Sequence, residues 1–230
     1  TIFLDERIFN NPPLALSECR RLTNEMALYA RDSLIKSIEL ITNYSAEVSQ
    51  SIRELETITD KYEDKLGTYL VRLSSKKLSD NESHRAARML HSIGDFERIG
   101  DHALNICKLA DEMNTKNIAF SDKGKREIDV ISAAVTEIMN MSIDAFINDD
   151  AESSLQVEPL EQVIDKLSKQ FKASHIERLQ DGDCTIELGF VFTDIISNYE
   201  RVSDHCSNIA VYTMQLPSDK LDAHKYLNKI

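Results

Sequence analysis

The 230 residues are 42% hydrophobic, enough to fill one large core or two small ones, which excludes a globally disordered chain. A formal charge of -12 repels phosphate backbones and anionic lipid, so cations and basic protein surfaces are expected partners and nucleic acid is not. Six glycines, four prolines and no tryptophan leave long stretches free of helix breakers, which favours long helices over a strand-rich fold.

In chain order, residues 1–13 read as an extended N-terminal linker ending at Pro12-Pro13, a pair suited to helix entry. The first three-helix bundle is expected over 14–114, with helices over about 14–43, 45–75 and from Ser79-Asp80-Asn81-Glu82, a capping box, to about Met113. A polar linker, 115–121, leads to a second bundle over 122–216. Its helices are expected over about 122–148, from the Asp149-Asp150 break to about 180, and from the Asp181-Gly182-Asp183 turn to just before Pro217. Pro159 should kink the fifth helix or mark its true start. Residues 217–230 read as a short, loosely held polar tail.

No apolar run approaches the roughly 20 residues that cross a bilayer, and no signal-peptide pattern opens the chain, so a soluble chain is expected. The start at Thr1 would be natural if something upstream had been trimmed away. Cys19, Cys107, Cys184 and Cys206 have no CxxC spacing, which suits a reducing compartment and small core residues rather than disulfides or a zinc knuckle.

The two halves resemble each other. Phe96-Glu97-Arg98-Ile99-Gly100-Asp101-His102 is matched 103 residues later by Tyr199-Glu200-Arg201-Val202-Ser203-Asp204-His205, and Asn105-Ile106 by Asn208-Ile209. Glu56-Thr57-Ile58-Thr59-Asp60-Lys61 is answered 105 residues later by Glu161-Gln162-Val163-Ile164-Asp165-Lys166. Each half therefore carries two Glu-x-x-x-Asp motifs. Spacing alone is weak, because 39 acidic residues in 230 make roughly six such pairs by chance. Context strengthens it. In all four copies the residues four before, one before and two after the glutamate are apolar: Ile52, Leu55, Ile58; Ile93, Phe96, Ile99; Val157, Leu160, Val163; Ile196, Tyr199, Val202. On a helix these form one arc beside the carboxylates, which places the acids at the edge of a buried stripe.

Each motif pair is also centred on its hairpin turn, so folding should bring Glu56/Asp60 level with Glu97/Asp101, and Glu161/Asp165 level with Glu200/Asp204, about 30 Å from the turns. Four carboxylates at a half-buried seam repel one another. Raised pKa values, arginines such as Arg98 and Arg201, or a bound cation can offset the repulsion. A cation is the favoured reading, with Glu56, Asp60, Glu97, Asp101, Glu161, Asp165, Glu200 and Asp204 as candidate metal ligands; a solvated, ion-paired acidic face is the alternative. All-oxygen ligation suits Mg, Ca, Mn or ferric iron, with zinc tolerated. His102 and His205 lie about 100° round the helix from the aspartates, which favours hydrogen bonding over ligation. Asn105 and Asn208 stand beside the aspartates. Glu25, Asp32, Glu137 and Asp144 occupy matching places in the two halves and read as ordinary polar positions that could add ligands.

These motifs resemble the repeated Glu/Asp-x-x-x-Asp signature of the PhoU family, over about residues 14–214. The resemblance implies an all-α fold of two tandem, pseudo-symmetric antiparallel three-helix bundles, iron or zinc as cofactors ahead of Mg or Ca, with Mg, Ca and Mn still open, and regulation of phosphate uptake through contact with a transporter. Residues 3–16, with Lys61-Tyr62-Glu63-Asp64-Lys65-Leu66-Gly67-Thr68-Tyr69-Leu70, are similar to the C-terminal part of bacterial sodium/phosphate cotransporter-family proteins. That likeness implies a membrane-domain partner in the same full-length chain and a place on the cytoplasmic face of the cell membrane. A homodimer is left open. Ser203 stands where the first copy has Gly100, so the two sites should differ in how closely the helices approach. No glycine-rich phosphate loop, nucleophile and base pair or positive pocket for phosphate is visible, so an enzyme is not expected. A metal-free helical adaptor or dimerisation module is the rival reading. A carboxylate di-iron oxidase would rely on Glu-x-x-His, which is missing.

Overall fold

Five of the six long helices begin on a side chain that accepts a hydrogen bond from the first helical turn, satisfying a backbone donor that has no partner within the helix. The computed structural model describes residues 2–214. In it α1 is Pro12–Thr42, α2 Ala46–Ser74, α3 Asp80–Lys116, α4 Asp122–Ile147, α5 the single turn Ala151–Ser154, α6 Val157–Gln180 and α7 Ile186–Thr213. Asn11, Ser45, Ser79, Ser121 and Thr185 cap α1, α2, α3, α4 and α7. Ser79 and Glu82 form the expected capping box, with bonds of 3.2 and 2.9 Å. The chain is all-α, with no strand among the described residues: α1–α3 form one three-helix bundle, and α4, α6 and α7 form the other.

Three details differ from the sequence reading. The opening segment is not extended up to the prolines: Asp5 caps a 3-10 turn, Glu6–Asn10, because the Tyr69 hydroxyl donates to the Asp5 carbonyl at 2.8 Å and Phe9 packs on the Tyr69 ring at 4.7 Å. Pro159 marks a start: it sits in the first turn of α6, where its missing N–H would have no helical acceptor, and α5 is a separate turn before it. α3 runs on past Met113 to Lys116, where Asn117 adopts the left-handed cap at φ 50°. The tail over 217–230, and the final residues of the sixth helix expected before Pro217, lie outside the described residues.

The two bundles share a core. α3 runs along α7, and α1 touches α4. Phe96 meets Phe146 edge-on at 5.1 Å, and Arg31 on α1 pairs with Asp144 on α4 at 2.6 Å. The four cysteines are free; burial pushes the Cys19 and Cys206 thiols up to about 12, as befits small core residues. Within α4 an 18-residue window has a mean hydropathy of 1.4, apolar enough by length and composition to cross a membrane, which the apolar-run reading did not anticipate. Here it is a bundle helix, with Ile131, Val135, Ile138 and Ile143 buried against the core.

In the second hairpin α6 and α7 meet at Gly189. A Cβ there would lie 2.5 Å from His175 Nε2, and that ring is buried and stacked on Phe192 at 5.1 Å. Gly189→Ala should therefore destabilise the protein by about 1–3 kcal/mol, read as a lower urea midpoint; an unchanged midpoint would mean that the imidazole swings away freely.

Candidate metal centre

The stripe beside the first two motifs is buried at Ile52, Leu55, Ile93, Phe96 and Ile99, which turns the acids of α2 and α3 toward each other along the seam. Gly100 allows the helices to close. A Cβ in its place would stand 3.0 Å from Thr59 Oγ1, which lies within the α2 motif. Glu56, Glu97 and Asp101 are half-buried and Asp60 is exposed. One oxygen each from Glu56, Asp60 and Asp101 lies within 4.8 Å of the others. Glu97 stands against Asp101.

This crowding has the electrostatic result expected of a cluster short of positive charge. Burial first, then a hydrogen bond and repulsion from Asp60, raises the Glu56 carboxyl to about 7; Asp101 adds repulsion and Lys108 opposes it. Burial, a hydrogen bond and repulsion from Asp101, and the charges of Asp60 and Glu63 raise Glu97 to about 8. Glu56 and Glu97 therefore hold their protons more tightly than free carboxyls do, in the place a cation could take. The donor set is carboxylate oxygen throughout, which fits a hard cation such as Mg²⁺, Ca²⁺, Mn²⁺ or ferric iron.

The second bundle differs. Among the described residues, Glu161, Asp165, Glu200 and Asp204 bring no three ligand atoms within 4.8 Å of one another. Lys172 donates to Glu200 at 2.6 Å, and Lys169 pairs with Asp165 at 3.0 Å. By the offset that relates Glu56 to Glu161, Lys172 corresponds to Gly67 and Lys169 to Asp64, so the first site lacks both lysines. The fourth stripe is intact, with Ile196, Tyr199 and Val202 buried, but Val163 on α6 is 48% exposed and that helix presents its motif less squarely. Ser203 is buried where the first bundle has Gly100, and its hydroxyl has no hydrogen-bond partner among the described residues. Arg98 and Arg201, offered as counter-charges, are exposed and form no ion pair with a described residue; in the second bundle Lys169 and Lys172 do that work.

The residues after each aspartate join the two bundles. His102 Nδ1–H donates to Asn198 Oδ1 at 2.8 Å, and Asn105 Nδ2 reaches the same oxygen at 3.3 Å. In the pseudo-symmetric position His205 Nδ1–H donates to Asp95 Oδ1 at 2.8 Å, with Asn208 Nδ2 at 3.2 Å. The two imidazoles lie 5.6 Å apart, and burial holds His102 below the usual histidine range. Hydrogen bonding was expected of the histidines, but the asparagines turn to the other bundle instead of the neighbouring aspartates. The partners Asp95 and Asn198 escaped the sequence reading, although they share the 103-residue offset. Glu25 accepts from the Tyr62 hydroxyl and pairs with Arg21, Asp32 pairs with Lys36, Asp144 pairs with Arg31, and Glu137 is exposed. None of the four joins the acidic cluster.

The PhoU domain family model matches residues 23–110 and 128–213, one stretch in each bundle, which together include all eight acids. The chain belongs to the PhoU family. PhoU domains are regulatory and non-catalytic, so the chain is a regulatory domain of phosphate uptake, and the oxidase alternative is set aside. Among similar curated proteins, the phosphate-specific transport system accessory protein PhoU homolog 1 of Thermotoga maritima is 21% identical over 86% of this chain and 84% of its own length. The putative inorganic phosphate export protein YjbB of Escherichia coli is 19% identical over 97% of this chain, which spans only 41% of that protein. The fold matches that of the phosphate transport system regulatory protein PhoU from Streptococcus pneumoniae with a TM-score of 0.78 at 18% identity, covering 91% of this chain and 98% of that one. PhoU from Pseudomonas aeruginosa gives 0.71 at 20% identity, over 89% and 94%.

Proposed function

We propose that this PhoU domain controls a phosphate transporter to which it is attached, and that a metal ion bound at Glu56, Asp60 and Asp101, with Glu97 beside them, sets the spacing of α2 and α3. The observation that carries the metal reading is the convergence of those three carboxylates within 4.8 Å. Metal there would replace protons held on Glu56 and Glu97 and neutralise the repulsion across the seam. Iron or zinc follows from family likeness; the oxygen donors suit Mg, Ca or Mn as well.

Attachment to a membrane partner is supported by the YjbB relatives, in which nearly the whole of this chain matches less than half of the protein. The remainder of such a chain would be the transporter, with this domain on the cytoplasmic face of the membrane. The two bundles, over 14–114 and 122–216 with 115–121 as the link, would then be the moving parts of the regulator. The ion-paired, metal-free reading is favoured for the second bundle by the Lys172–Glu200 contact. It leaves Glu161, Asp165, Glu200 and Asp204 as a weaker metal set.

Elemental analysis of protein prepared without chelator or affinity-tag metal tests the site. We expect stoichiometric metal that is lost on changing Glu56, Asp60, Glu97 and Asp101 to amides and retained when the second-bundle acids are changed. Metal-free wild-type protein that also takes up none on titration would remove the proposal. Transport by the full-length protein with all eight acids as amides tests the regulatory role, where unchanged control of uptake would sever metal from regulation.

A further inference from the structure

A chain of charge -12 gathers three guanidinium groups around one cavity, at the seam between the bundles and among groups that the acidic motifs do not use. The cavity encloses about 370 Å³. Asn81, Arg85 and Arg88, spaced four and three apart, line it from one face of the first turns of α3; Arg20 enters from α1 and Tyr212 from the end of α7.

Arg20 is held in place. It stacks over the Phe146 ring at 4.3 Å and donates to the Phe146 carbonyl, to Asn24 Oδ1 at 3.1 Å and to Asp149 Oδ1 at 3.1 Å. Arg85 and Arg88 are different. Both are half-buried, and neither forms an ion pair or side-chain hydrogen bond with a described residue. Burial, then repulsion from Arg85 and Arg20, holds the Arg88 guanidinium below the usual range, with Asp149 alone opposing. Three cations thus face one carboxylate. Such an excess is unfavourable unless an anion joins it, since each unpaired charge withdrawn from water raises the cost.

We propose that this cavity binds the dianionic phosphate group of a small molecule, either inorganic phosphate or a phosphate ester. Two guanidinium forks can each donate two parallel hydrogen bonds to a tetrahedral oxyanion. The Asn81 amide supplies further donors, and the Tyr212 phenol, pushed up to about 12 by burial, keeps its proton to donate. The excess of two positive charges matches a phosphate dianion better than a single carboxylate. Because the walls come from α1 and α3 on one side and α7 and the Phe146–Asp149 corner on the other, the anion would brace one bundle against the other. The proposal does not depend on metal at the acidic seam.

The test compares the whole chain with Arg85→Gln/Arg88→Gln and with Arg88→Lys, which keeps the charge and loses the fork. Thermal unfolding and calorimetry are followed with inorganic phosphate and with glycerol phosphate, against sodium chloride at matched ionic strength. Phosphatidic acid vesicles form a third arm, read by co-sedimentation. At concentrations about ten times the dissociation constant, the wild-type midpoint should rise by about 3–5 °C and the double variant should not respond. Arg88→Lys should bind about tenfold more weakly. A response to phosphate names the free ion, and a response to glycerol phosphate alone names an ester; either supports the proposal. Binding confined to vesicles, or no response beyond chloride in any arm, overturns it. So does a double variant that responds like wild type, or, should that variant not fold, an unchanged affinity in Arg88→Lys.

Discussion

Changing Glu97 to glutamine should raise the thermal midpoint of the metal-free protein at pH 8 and leave it nearly unchanged at pH 4. Burial and the neighbouring Asp101, Asp60 and Glu63 raise the folded Glu97 carboxyl from 4.5 to about 8. Below the unfolded value both states are protonated, and the group carries no penalty. As pH climbs from about 4.5 toward 8, the unfolded chain gives up a proton that the folded chain retains, so stability falls. The amide has no such slope. Solvent screening at this half-open seam reduces the effect to about 1 kcal/mol, or about 2–4 °C for a chain of this length. With saturating divalent cation the order should reverse, because wild type gains the binding free energy and the variant loses a supporting carboxylate. Metal uptake near pH 7 should also release protons from Glu56 and Glu97, measurable as a buffer-dependent heat. A difference between variant and wild type that is the same at pH 4 and pH 8 would show that burial and its acidic neighbours do not raise the Glu97 carboxyl.

The largest loss of stability is expected at a pair remote from the acidic motifs. Arg178 on α6 donates to Glu127 on α4 at 2.6 Å, with both side chains 9% exposed. Ser174 Oγ accepts from the same guanidinium at 3.1 Å, and Phe192 lies under it at 5.1 Å. Glu127→Ala leaves that guanidinium buried without its carboxylate and should cost about 3–5 kcal/mol in urea unfolding. Replacing the pair together, Glu127→Leu with Arg178→Met, should recover most of the loss, since neither charge then remains unpaired. A double variant as unstable as Glu127→Ala would mean that packing around Phe192, not charge, sets the cost.

The outline of the molecule could be read along the chain. Helix starts at Ser79, Ser121 and the proline pair depend on bonds within a few residues, and the apolar stripe beside each motif repeats at helical spacing. The register of the hairpins was also legible, because antiparallel helices joined by a short turn match residues by their distance from it. Ser207 donates to Glu158 at 2.5 Å, two positions centred on the Asp181-Gly182-Asp183 turn, as that rule requires. Pro159 could be placed at a start or a kink but not assigned to one, since the answer depends on where the preceding turn packs.

Residue types and spacings by themselves determined six long helices and their repetition in two bundles, because each follows from local bonding or helical period. Tertiary structure alone decided that lysines pair with acids of the second seam while those of the first stay crowded. It also decided that His102 and His205 clasp Asn198 and Asp95, and that Arg20, Arg85 and Arg88 share a cavity despite the net negative charge. Electrostatic energy depends on distance through space, and groups on different helices acquire that distance only when the helices pack.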